Sequence, residues 1–577
     1  MIDILQVNPG LWVILAGIIC AFLPVGQIRK ALLLLAPIFA GMMIFQIYGA
    51  QEVIGGVITF AGMDYTTLRI DRLSMIWGYL FCLAGVLNAI YGLHEKCRIT
   101  DSSALIYMGA ALAGVFAGDL LTLFIFWELA AISSVFLVWK GGERSYASGI
   151  RYLAIHVLSG VLLLAGAIVY GRANGGDFTF GAIGLGAPGG WLLLLAMGIK
   201  CGFPFLHNWI QDAYPKASIT GTVILSAFTT KLALYALARG FAGEDILIYI
   251  GAVMTCFPVF FAVIENDLRR VLSYSLNNQL GFMVCGIGIG TPLAMNGVAA
   301  HVVADVIFKG LLFMSMGAVM LRTGTAKASE LGGLFRSMPF TTVFCLIGAG
   351  SIAAFPLLSA FVTKSMILTA ALEEHLWVPL AMLLFASAGV MEHSGIKVPY
   401  FTFFSHDSGR RVKEAPWNML TAMGLASLLC IVFALPGVSF GYKLLYSLLP
   451  YEVDYHPYTP DHVIFQLQLL FAAITAFCVL KKYGLYPDER RAEIIDFDWT
   501  YRKLGLGIAK WIGQMWTRLS ANITALRKSC VDSVGKRLYQ VFSPAGAMSA
   551  AAPSGLAGVL TAGMLVIALL IMFITSL

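Results

Sequence analysis

The residues best suited to chemistry in this chain are basic and acidic side chains set inside long apolar runs, a pattern that fits proton exchange. Lys200 stands at the centre of WLLLLAMGIKCGFPFLHNWI, Trp191 to Ile210. A helix of that length covers about 30 Å, the thickness of bilayer hydrocarbon, so the lysine falls near the midplane. A lysine there costs on the order of 3 kcal/mol, and such residues face a bundle interior or a wet cavity and have a partner. Pro204 removes a backbone donor and breaks the helix ladder. His207 lies seven residues from Lys200, two turns along on the same face of a continuous helix. The expected element is a kinked helix carrying a titratable lysine towards a histidine.

Glu128, ninth in LLTLFIFWELAAISSVFLVW, is the acidic counterpart, again near mid-membrane. A neutral acid bonded to backbone is one reading; the other is an ion pair with a lysine of a neighbouring helix, each charge offsetting the other. At about 7 Å and an effective dielectric near 20 the attraction is roughly 2.4 kcal/mol, so opening the pair is a way to drive a proton off Lys200. His301, Asp305 and Lys309 recur every four residues and form one stripe on a helix face, with the Asp able to pair with either base. Lys231, in ILSAFTTKLALYALAR, is a third station between the two clusters. The run Thr341 to Leu372 is too long for one straight span and holds Gly348, Gly350 and Pro356 before Lys364, the pattern of an interrupted helix. Lys397, near a span end and followed by Pro399, reads equally as a snorkelling side chain or a functional one.

The elements that must position these residues follow from composition. The 577 residues are 59% hydrophobic and 12% charged, with a mean hydropathy of +0.83, so the chain is an all-α polytopic membrane protein. Apolar runs give about sixteen spans, at 9–26, 30–50, 73–93, 103–118, 119–139, 148–170, 191–210, 218–240, 246–264, 271–290, 293–321, 341–372, 376–404, 417–440, 463–482 and 555–577. With the N-terminus outside, the first seven inward connections hold sixteen Lys and Arg and the outward ones five, which sets the orientation. The charge of +7 is a topology signal spread over short loops, not a nucleic-acid patch. Leu11 to Val25 lacks the basic flank of a secretory leader. The ten cysteines are scattered without a CxxC pair, and no GxGxxG opens a helix, so no cofactor or metal is expected.

At six stretches the sequence resembles the antiporter-like proton-translocating subunits of respiratory complex I and Mrp-type cation/proton antiporters. These are DLLTLFIFWELAAISSVFLV around Glu128, GIKCGFPFLHNWIQDAYPKA around Lys200, LSAFTTKLALYALAR around Lys231, ENDLRRVLSYSLNNQLG at 265–281, HVVADVIFKGLLFMSMGAV around Lys309 and FPLLSAFVTKSMIL around Lys364. Lys231, where some members carry histidine, and DFDWTYRK at 496–503 are most similar to the D-type subunit of Mrp antiporters. The resemblance implies a core of about 14 helices with two inverted five-helix repeats and broken seventh and twelfth helices. It also implies roles. Glu128 pairs with the pumping lysine Lys200; Lys231 connects; Lys309 follows; Lys364 ends the chain; His207 and His301 bridge. Asp305 stands where the family often has a second histidine, and WIQDA replaces WLPDA, departures that leave proton against metal-cation selectivity open.

The domain organisation expected is 1–100 N-terminal helices, 101–404 the translocating core, 405–484 C-terminal core helices, 485–554 a charged connection and amphipathic helix, and 555–577 a final anchor. From Trp499 to Phe542 apolar residues recur at steps of three and four, from Leu504 to Leu538, giving a basic amphipathic helix of about 44 residues that lies along the membrane surface or a neighbouring subunit. The function expected is that of a transporter subunit moving protons, with or without exchange for Na+, in a multisubunit antiporter or respiratory-type complex. Its partners are other integral membrane subunits and lipid, with no nucleic acid, and its place is the bacterial inner membrane. Any redox chemistry belongs to partners. A stand-alone transporter of an organic solute and a structural subunit without transport are the alternatives.

Overall fold

The computed structural model describes residues 7–24, 26–47, 52–60, 62–437, 440–452, 454–487, 489–492, 494–547 and 554–576. It divides into two units, Met1–Asp496 and Phe497–Leu577. The first opens with α1 (Pro9–Phe22) and α2 (Gln27–Gln46), then an antiparallel hairpin of β1 (Glu52–Phe60) and β2 (Met63–Asp71) in register from Glu52↔Asp71 to Phe60↔Met63. There follow α3 (Arg72–Tyr91), α4 (Arg98–Val115), α5 (Leu120–Trp139), α6 (Glu143–Ala173), the pair α7 (Gly190–Cys201) and α8 (Asn208–Ala213), and the pair α9 (Ile219–Ala227) and α10 (Thr229–Gly240). Next come α11 (Asp245–Ile264), α12 (Leu268–Ile289), α13 (Pro292–Thr323), the pair α14 (Pro339–Ile352) and α15 (Ser359–Glu373), α16 (Trp377–Val390), α17 (Trp417–Val432), α18 (Tyr442–Tyr446) and α19 (Pro460–Lys482).

Each expected span falls on one helix or one broken pair, and nine helices among the described residues are long and apolar enough to cross a membrane. The hairpin was not expected. It fills the gap between the second and third spans, where Val53, Val57, Thr59 and Thr66 supply the β-branched residues that favour strands.

Acidic residues fix the helix starts that matter for the site. Asp119 caps α5 by accepting from Thr122 N at 2.7 Å, and its other oxygen accepts from Thr66 N of β2 at 2.8 Å, so one side chain ties the hairpin to the helix carrying Glu128. Asp71 forms a capping box with Ser74 at the start of α3 and pairs with Arg239 of α10 at 2.6 Å.

Two interruptions share one backbone. At the first, Gly202 has φ 80° and Phe205 φ 69°; at the second, Ala354 has φ 60° and Leu357 φ 69°. The sequences are G-F-P-F-L and A-F-P-L-L. Phe203 N donates to Gly198 O and Phe355 N to Gly350 O, both at 3.0 Å, and Leu206 N donates to Phe203 O as Leu358 N does to Phe355 O. The same turn ends α7 and α14, with Lys200 before it in one copy and Lys364 after it in the other. A third irregularity follows α16, whose continuation is π-helical over Met391–Lys397 and Tyr400–Phe404. Such turns are rare and often lie at functional sites.

In the second unit a π-helical stretch, Thr500–Gly505, leads into α20 (Leu506–Phe542), 37 residues, and α21 (Ser554–Ser576) follows. The apolar side chains of α20 at Ile508, Ile512, Met515, Leu519, Ile523 and Leu526 recur on one helical face. Residues 548–553, in the expected 485–554 segment, lie outside the described residues.

Candidate functional site

The buried charges are distributed over the helix interruptions and the helices packed on them. Lys200 ends α7 fully buried and donates from Nζ to Trp127 O of α5 at 2.5 Å, with the Trp127 ring 4.4 Å from the ammonium. Trp127 Nε1 donates to Ser159 Oγ of α6 at 3.0 Å, and Ser159 Oγ donates to Ala196 O of α7 at 2.7 Å, so α5, α6 and α7 are locked around the lysine. The expected ion pair between Glu128 and Lys200 is not formed: the Lys200 ammonium is on the Trp127 carbonyl instead. Oε1 of Glu128 is buried without a hydrogen-bond partner among the described residues. It sits against α6 at Gly160, where a Cβ would collide with that oxygen. Only glycine leaves the carboxylate this berth.

His207 is not on a common helical face with Lys200. The left-handed residues Gly202 and Phe205 end α7, and His207 becomes the residue before α8, so the seven-residue spacing places it across a break. Its Nε2 lies 3.2 Å from Asp496 Oδ2, in the connection after α19.

Asp305 is also differently engaged than expected. His301, Asp305 and Lys309 do share one helix, α13, but Asp305 pairs with neither neighbour. Its Oδ2 lies 2.8 Å from Nζ of Lys231, and neither side chain has any exposed surface. Lys231 reaches it because the ladder is interrupted at Phe228 between α9 and α10, and its ammonium also donates to Ser226 O at 3.1 Å. Lys231 is thus the direct partner of the α13 stripe. A seventy-four-residue separation hid this pair from local pattern reading.

The stripe's other two members reach outwards. His301 shares hydrogen bonds with Thr363 Oγ1 of α15 at 2.8 Å and Gln279 Oε1 of α12 at 3.1 Å. Lys309 donates to Ser275 Oγ of α12 at 2.8 Å, and that oxygen also accepts from Ser394 Oγ in the π-helical segment at 2.8 Å. Lys364 donates to Ile352 O at the end of α14 at 3.0 Å and lies 4.8 Å from the Phe282 ring. Lys397 is fully buried, donates to Val263 O at 2.5 Å and pairs with Glu489 Oε1 at 3.2 Å. Lys231, Lys364 and Lys397 therefore sit at carbonyls next to helix ends, where the unpaired backbone oxygens and the negative end of the dipole stabilise a cation.

Four participants escaped sequence reading. His156 and His393 are buried histidines within spans, a signal available in the sequence; His156 packs on Tyr152 and Trp209 at 4.1 and 4.4 Å. Glu489 and Asp496 had no such signal, because they belong to a charged connection that reads as solvent-facing.

Taken together, apolar spans, helices interrupted by a repeated turn and a series of buried lysines interleaved with acids and histidines define an integral membrane protein with charges in its interior. Residues 117–390 match the family model described as NADH:quinone oxidoreductase/Mrp antiporter, TM. The chain belongs to that family. It is 30% identical to the D-type subunit of the Na+/H+ antiporter of Alkalihalophilus pseudofirmus over 372 residues, 60% of this chain and 69% of that one. It is 29% identical to a probable A/B-type subunit of a K+/H+ antiporter of Rhizobium meliloti over 343 residues, which is 55% of this chain but only 34% of that relative, so the chain spans about a third of its length. In fold it is similar to a chain of the Mrp complex of a Dietzia species, with a TM-score of 0.68 over 81% of this chain and all of that one, at 19% identity. A chain of an archaeal membrane-bound sulfane sulfur reductase gives a TM-score of 0.69 over 97% and 99%, also at 19% identity.

Proposed function

We propose that this chain is the proton-translocating subunit of a multisubunit cation/proton antiporter or respiratory-type membrane complex. The observation that carries the reading is the fully buried Lys231–Asp305 pair, joining the half that holds Glu128 and Lys200 to the half that holds His301, Lys309 and Lys364. A buried ion pair is a costly way to hold helices together, since apolar side chains of similar volume do as well or better. Its retention beside further buried lysines fits a path in which charge moves. Glu128 and Lys200 form the switchable pair; Lys231 and Asp305 connect; Lys309, His301 and Lys364 carry the proton onward, with His207 at the first break. Moving one charge against 100 mV requires about 2.3 kcal/mol, comparable with the roughly 2.4 kcal/mol between a carboxylate and an ammonium about 7 Å apart at an effective dielectric near 20. The chain functions among other integral membrane subunits in a bacterial inner membrane, N-terminus outside, with Na+ as the candidate exchanged cation and α20 lying along lipid or a neighbouring subunit.

The test is proton flux across vesicles containing the chain with its native partners, comparing wild type with Lys200→Ala and Glu128→Ala at matched assembly. Loss of flux in both supports the assignment. Unchanged flux in both overturns it and leaves a structural role.

A further inference from the structure

The connection after α19 reads in sequence as a solvated charged linker, yet it sets two carboxylates on the two halves of the path. Asp496 has a side chain only 1% exposed. Around it converge His207 Nε2 at 3.2 Å, Tyr274 OH of α12, donating at 2.8 Å, and Asn208 Nδ2, donating to Oδ1. His207 itself packs against Phe257 of α11 with ring centroids 4.5 Å apart, and its Nδ1 is buried without a hydrogen-bond partner among the described residues. The imidazole therefore has one nitrogen on a carboxylate and the other turned into the protein, the arrangement of a relay. On the second half, Glu489, 10% exposed, pairs with the fully buried Lys397. Lys397 ends the π-helical turn that also carries His393 and Ser394, and Ser394 is linked through Ser275 to Lys309. Tyr486, in the same connection, donates to Glu392 of that turn.

We propose that Glu489 and Asp496, in the connection after α19, are the proton-exchanging carboxylates at one face of the path, Asp496 to His207 and Glu489 to Lys397. This rests on the proton-translocating reading above. In the forward step a proton passes from the Asp496 carboxylic acid to Nε2 of His207, leaving a carboxylate beside an imidazolium. The imidazolium then gives its Nδ1 proton to a water molecule, which leaves as hydronium, and the imidazole returns to neutral with its proton on Nε2. Glu489 exchanges a proton with Lys397 in the same way, and the turn that Lys397 ends also carries Ser394, whose hydroxyl is linked through Ser275 to Lys309. The titratable groups against Asp496 are His207 and Tyr274, and Arg270 and Glu265, paired with each other, act on that tyrosine; those facing Glu489 are Lys397, Glu392 and Tyr486.

Asp496→Asn keeps an oxygen to accept from Tyr274 and so keeps the connection docked, while removing the exchangeable proton. Proton flux is measured in vesicles holding the complete complex, for wild type, Asp496→Asn, Asp496→Glu, Glu489→Gln and Lys200→Ala at equal assembly. At about pH 8, where protons are scarce and capture limits the rate, Asp496→Asn loses about tenfold; at about pH 6, where water supplies His207 directly, it loses less than about twofold, and Asp496→Glu restores the wild-type profile. A loss equal at both pH values, or none at either, overturns the proposal. Where Asp496→Asn does not assemble, Glu489→Gln is judged by the same criterion. Flux abolished by Lys200→Ala with a flat Asp496→Asn profile overturns this inference alone, whereas flux surviving Lys200→Ala overturns the function on which it rests.

Discussion

Lys231 of α10 and Asp305 of α13 meet at 2.8 Å with neither side chain exposed, seventy-four residues apart in sequence. Removing one member of a buried pair leaves a bare charge, at a cost of about 3–5 kcal/mol, while replacing both with apolar side chains of similar size is close to neutral. Asp305→Leu alone is expected to lower the melting temperature of the assembled complex markedly. Lys231→Met with Asp305→Leu recovers most of that loss but not proton flux. Thermal denaturation of the three variants beside their flux separates the stabilising role of the pair from its transport role.

Gly160 gives a way to move Glu128 without changing it. A methyl group there collides with Oε1, the far end of a flexible side chain, so the carboxylate rotates away at little energetic cost, and alanine itself favours the helix by up to about 1 kcal/mol. Gly160→Ala is expected to leave thermal stability unchanged or slightly raised while reducing flux about tenfold, the equivalent of about 1.4 kcal/mol in the Glu128–Lys200 interaction. Wild-type flux would show that the carboxylate's position is immaterial.

Ser275 is the hydroxyl shared by Lys309 and Ser394. A hydrogen bond to a charged group is worth about 1.5–3 kcal/mol, so Ser275→Ala is expected to slow flux by about tenfold or more, and Ser275→Thr, which keeps the oxygen, to restore most of it. Stopped-flow measurement of vesicle acidification checks both.

Asp71 provides a pH test outside the spans. Burial alone would raise its carboxyl, and the Arg239 guanidinium overrides that, holding it below the ordinary value of 3.8. A carboxyl whose folded value is depressed contributes stability that is present above the unfolded value and lost as pH falls through the folded one. Asp71→Asn is therefore expected to lower the melting temperature of the detergent-solubilised complex near neutral pH, with the difference from wild type shrinking below the ordinary carboxylate range. A difference independent of pH would mean that the capping bonds to Ser74, rather than the charge, carry the effect.

What local pattern revealed and what it hid follow from the range of each interaction. The α13 stripe was legible because a four-residue repeat is a property of one helix, and both interruptions were legible because Pro204 and Pro356 disable a backbone donor wherever they stand. The shared turn geometry was not, since the lysines fall on opposite sides of it. Three tertiary facts could not be read at all. Lys231 meets Asp305 only because α9, whose end it follows, packs on α13; Asp496 finds His207 from 289 residues away; Glu128 owes its berth to a glycine on another helix. The hairpin was hidden for a different reason: a search for apolar spans passes over strands between them.

Lys200, Lys231, Lys364 and Lys397 each donate to a main-chain carbonyl. An ammonium has three N–H groups and the neutral amine still has two, so such a carbonyl keeps its hydrogen bond whether or not the lysine is charged. Tethering and charge sensing are therefore divided between two kinds of oxygen. The backbone fixes where each nitrogen sits in either protonation state, while the carboxylates of Asp305 and Glu489 attract Lys231 and Lys397 as ions only when these are charged. A lysine so held can change charge without changing address.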